Sequence, residues 1–296
     1  MKQSRALQQA RAAARRGETH AAIGALRSLA AGGDVAACPS LAELLAFQGE
    51  WDEVIPNAGR LIANPSAAYA ANVFDDMVRL LGRAGHETGR WEDIGRYARD
   101  AAANVKRTTN APHQLNRYVT ILDRLGSYAR GRGSIPFLKR LADRTQGRDV
   151  PEHELITLWK KPEELSLAER KKRVDNATAN VFELRPDLKD KPHDLHRHLF
   201  GLAKFYDLPE QALERYSAHP QDMSFTDAVY VGRYMATHCK TDEAWKLIQE
   251  KLPDWIADDP AQVAPVVLIV DRDLQDMMTL ERCTEVLRTA RSDGVD

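Results

Sequence analysis

Three glycines in the first hundred residues are each followed by the same apolar spacing, and this recurrence narrows the fold more than any other feature. Gly17 has Ala22, Leu26 and Leu29 at +5, +9 and +12; Gly49 has Val54, Ala58 and Leu61; Gly89 has Ile94, Ala98 and Ala101. Steps of three and four residues return to one face of a helix, so each glycine introduces a helix with a single apolar stripe. Trp51 and Trp91 stand at +2 in the second and third cases. Upstream, Leu41-Ala42 and Leu81-Gly82 place a small residue where two helices can approach closely. The anchors are 32 and then 40 residues apart, about the length of a helix pair with its turns. A lone pair of this size cannot cover its own stripe and must stack on neighbours.

Helix start signals recur along the chain. Ser40 to Glu43 and Ser166 to Glu169 read as capping boxes, in which the Ser side chain and the third-position Glu satisfy each other's backbone donors. Ser224 with Asp227, Thr279 before LERCTEVLRTAR, and Pro260 after Asp259 are further starts. Strand signals are sparse: there is little strict alternation and no Asn-Gly or Asp-Gly hairpin. The pattern predicts an all-α chain of about sixteen helices. The segments include 40–48, 51–64, 67–84, 91–108, 111–130, 167–184, 193–206, 224–239, 241–253, 260–276 and 279–291. Pro56 and Pro136 are read as first-turn prolines, where the missing N–H costs little.

Over residues 2–101 these helix-turn-helix units resemble the tetratricopeptide repeat (TPR) family. Further on, Phe182-Glu-Leu-Arg-Pro186 looks like the end of a repeat and Lys240-Thr-Asp-Glu-Ala244 like the start of one. The resemblance implies a right-handed α-α superhelix with a concave groove, and a protein-interaction role. In that family the first helix of each pair lines the groove. Here this points to Arg11 and Arg15, then Glu43 and Phe47, then Arg79, Arg83 and His86 as partner-binding residues. Arg79 and Arg83, four residues apart, could grip an acidic peptide or a terminal carboxylate. The asparagines of the clamp in chaperone-binding members are absent, so a different peptide or protein partner is expected.

Charge divides the chain. Residues 1–150 hold 22 Lys and Arg against 15 Asp and Glu, whereas 151–296 hold 20 against 28. The sign changes near 144–166, where Gly147, Pro151 and LWKKPEEL mark a seam. We therefore expect a basic helical array over 1–148 and an acidic helical array over 149–296, continuous with the first. The basic stretch from Val105 to Arg148 carries Arg117, Tyr118, Arg124, Arg130, Arg132, Arg140 and Arg144. Arginines with interleaved aromatics suit phosphate neutralisation and base stacking, so RNA binding by this face is the alternative function. The Thr226 to Leu252 stretch also resembles one pentatricopeptide repeat, a unit of RNA-reading helix arrays. A second alternative is an immunity or inhibitor protein that occludes an enzyme or toxin, with the acidic C-terminal quarter facing a basic target. A basic half and an acidic half could also pair between copies.

Other chemistry is weakly signalled. His193, His196 and His198 cluster in PHDLHRHLF, with Glu210 and Glu214 as the nearest carboxylates, but no HExxH or ExxH spacing is present. A polar helix start accounts for them, so no metal and no cofactor is expected. GxSxG, GxxxxGK[ST] and strand-borne GxGxxG patterns are missing, and Gly131-Arg-Gly133-Ser134 is a turn, so a non-enzyme is expected. ERKKR, Glu169 to Arg173, reads as solvated helix surface. Cys38, Cys239 and Cys283 are scattered and form neither a disulfide framework nor a zinc motif. With no signal peptide and VAPVVLIV as the longest apolar run, the expectation is a cytoplasmic protein with no membrane partner.

Overall fold

A computed structural model describes residues 4–63, 71–108, 125, 165–189, 192–208, 210–211 and 223–291. Among the described residues there is helix and turn but no strand. By contact, residues 1–148 and 255–296 form one compact unit, and residues 149–254 form another. Residues 255–296 thus group with the beginning of the chain, rather than with the stretch that precedes them.

In the first unit, α1 (Arg5–Arg15), α2 (Thr19–Ala31), α3 (Cys38–Phe47), α4 (Trp51–Ala63), α5 (Ala71–Thr88) and α6 (Trp91–Thr108) follow one another. Helix α1 packs on α2, α2 on α3, α3 on α4, and α4 on both α5 and α6. The three anchor glycines adopt left-handed backbone, with φ of 85° at Gly17, 76° at Gly49 and 72° at Gly89. At Gly17 and Gly49 the following residue, Glu18 or Glu50, donates to a carbonyl five residues back. This left-handed cap reverses the chain in two residues and favours glycine, because a Cβ there clashes with the backbone. The stripes point inward as the spacing requires: Ala22, Leu26, Val54, Ala58, Leu61, Ile94, Ala98 and Ala101 are all buried. Trp51 and Leu29 are half-buried.

In the second unit, α7 (Leu167–Ala179), α8 (Pro192–Phe205), α9 (Phe225–Thr237) and α10 (Thr241–Lys251) are described. Ser166 and Ser224 form complete capping boxes with Glu169 and Asp227. The expected helix 167–184 is interrupted at Asn180, after which a single turn covers Val181–Leu184. Helices α9 and α10 pack as a pair. Their turn repeats the glycine anchor with Cys239, whose φ is 58°. Lys240 donates to the Met235 carbonyl, as Glu50 does to that of Leu45. Ala244 and Ile248, at +5 and +9 from Cys239, are buried like their counterparts.

Three expectations for the first unit are corrected. Helix α3 begins at Cys38, with Pro39 in its first turn, so Ser40 and Glu43 lie inside it and form no capping box. Pro56 sits in the interior of α4, and not in its first turn. Residues 260–276 do not form one helix: a single turn covers Val267–Val270, a 3-10 turn covers Gln275–Met277, and the rest is irregular. Pro265 explains part of this, since its ring excludes the helical N–H bond and restricts Ala264. The remainder is explained by where the backbone groups of 260–264 go. The chain then ends its described part with α11 (Leu280–Arg288), capped by Thr279 as expected, which packs on α3.

Candidate functional site

Of the residues read as groove lining, Arg15 and Glu43 bond residues 260–264, Arg79, Arg83 and His86 line a cleft, and Phe47 lines a hollow beside Trp51. Helix α1 presents Arg11 and Arg15, α3 presents Ser40, Glu43 and Phe47, and α5 presents Asp76, Arg79, Arg83 and His86. Arg11, Arg15, Glu43 and Phe47 are buried, and the chain's own residues 260–264 lie against α1 and α3.

The bonding to that segment is made through its backbone. Arg15 donates from Nη2 to the Pro260 and Gln262 carbonyls, both at 2.9 Å. Ser40 Oγ donates to the Ala261 carbonyl at 2.6 Å and accepts from Arg11 Nε at 2.9 Å. Glu43 Oε2 accepts the N–H groups of Val263 at 2.7 Å and Ala264 at 3.0 Å. Arg291 donates to the Val263 carbonyl at 2.9 Å and to Ala14 at 3.1 Å. Ala261 N–H goes to Asp259 Oδ1 and Gln262 N–H to the Asp259 carbonyl. Every backbone donor from 261 to 264 and every carbonyl from 260 to 263 therefore has a partner, which a buried irregular segment requires. Gln262 adds a side-chain link, donating from Nε2 to Asp76 Oδ2 at 2.8 Å while its Oε1 accepts from Asp258 and Asp259.

Burial sets the electrostatics here. It raises the Glu43 carboxyl well above the usual carboxylate range, with the Val263 and Ala264 N–H groups and Arg11 opposing and Asp76 reinforcing. Burial likewise lifts Asp76 to about 6, against the pull of Gln262 and Arg79. Arg291 is lowered to about 10, chiefly by burial. The Cys283 thiol is pushed up to about 11 for the same reason, which keeps it protonated and unreactive at neutral pH.

At the other end of α5 the surface remains open. Arg79, Arg83, His86 and Glu87 form one wall of a cleft of about 480 Å³, and Val270, Arg272, Gln275 and Asp276 form the other. Arg79 pairs with Asp75 at 2.9 Å and Arg83 with Glu87 at 2.7 Å. Arg83 also donates to Gln275 and lies 5.9 Å above the Trp51 ring. His86 meets Trp91 edge-on at 5.5 Å. The expected set thus separates into a buried part, on 260–264, and an open part, on the cleft.

Ser40, Asp76, Gln262, Arg272 and Arg291 are site residues that sequence reasoning did not select. Pro265 inside an apparent helix was the available signal that this segment is irregular. Arg117, Tyr118, Arg124, Arg130, Arg132, Arg140 and Arg144 lie outside the described residues. So do Glu214 and the side chains of His193 and His196, while His198 is half-buried on α8. Among the described residues no group of three or more His, Cys, Asp or Glu is placed to hold a metal, and no helix is long and apolar enough to cross a membrane. Comparison with protein-family models, curated proteins and solved structures gives no match to this chain.

Proposed function

We propose that this chain is a TPR-like helical solenoid that works as a non-catalytic adaptor, and that its protein partner docks on the open cleft beside α5. The observation that carries the reading is the convergence of Arg79, Arg83 and His86 with Arg272 on one accessible cleft. The side of α1 and α3 that the resemblance implies as a groove is a poorer candidate, because Arg15, Ser40 and Glu43 there already bond residues 260–264. Val263, Val266, Leu268, Ile269, Leu274 and Met277 are all buried. At roughly 1.5–3 kcal/mol for each fully buried side chain, their burial is on the order of ten kcal/mol.

The test compares wild type with the double variant R79E/R83E in affinity capture at moderate salt after nuclease treatment. The reading predicts that a protein retained by wild type is lost from the variant, while far-UV circular dichroism is unchanged. Equal retention by both proteins contradicts the cleft assignment. Recovery that disappears with nuclease transfers the function to nucleic acid.

A further inference from the structure

We draw no further inference here: the strongest candidate, the face of α11 that exposes Leu280, Glu281 and Arg288, carries one large apolar side chain beside charges of both signs, and nothing in the structure shows what covers it.

Discussion

Glu43, in the middle of α3, accepts the backbone N–H of Val263, 220 positions further along the chain, at 2.7 Å. With the neighbouring bond from Ala264, this one side chain ties two consecutive amides of the returning segment to α3. Removing it should be costly in a particular way. Glu43→Ala leaves two buried donors without an acceptor, at about 1–3 kcal/mol each, and a cavity besides. We expect a loss of about 2–5 kcal/mol in denaturant unfolding. Glu43→Gln keeps an acceptor oxygen for the two N–H groups, so it should cost less, under about 1.5 kcal/mol. Equal losses for the two variants would contradict the hydrogen-bond account.

Asp76 gives the fold an unusual dependence on pH. Its folded value of about 6 lies above the ordinary carboxylate value of 3.8. The folded state therefore holds this proton more tightly than the unfolded state. Its contribution is fully present below pH 3.8 and is lost as pH rises through about 6. Between pH 7.5 and 4.5 wild type should gain about 2 kcal/mol relative to Asp76→Asn, read from unfolding curves at the two pH values. Glu43, raised for the same reason, acts in the same direction. A wild type that loses stability relative to Asp76→Asn on acidification would reverse the assignment.

Cys239 occupies a position better suited to glycine. Its φ of 58° and exposed side chain give it the strain of a left-handed cap with no packing in return. Cys239→Gly should raise stability by about 0.5–1 kcal/mol, measured by thermal unfolding. The converse holds at Gly17, where φ is 85° and an added Cβ would run into the Arg288 carbonyl. Gly17→Ala should destabilise by more than about 1 kcal/mol, because strain and collision add.

The repeated turn was legible because glycine marks a left-handed cap and the apolar stripe behind it has helical spacing. The same geometry at Cys239 was hidden, since cysteine carries no such signal. Thr279, Ser166 and Ser224 read correctly because an N-cap acts on its own helix. Ser40 and Glu43 have the spacing of a capping box, yet they bond residues more than two hundred positions away. Local pattern cannot distinguish a side chain that caps its own helix from one that captures a distant backbone. That Arg15 and Glu43 would bond the backbone of residues 260–264 was not legible from α1 and α3. Residues 260–264 have no periodicity of their own and are ordered by donors and acceptors from other parts of the chain.

Amide hydrogen exchange tests most directly whether residues 260–264 are held against α1 and α3. The Val263 and Ala264 amides should exchange as slowly as those of Leu44 and Leu45 in α3, through opening of the whole first unit. Exchange of Val263 and Ala264 within seconds, while α3 stays protected, would contradict this and show that Glu43 does not hold the segment.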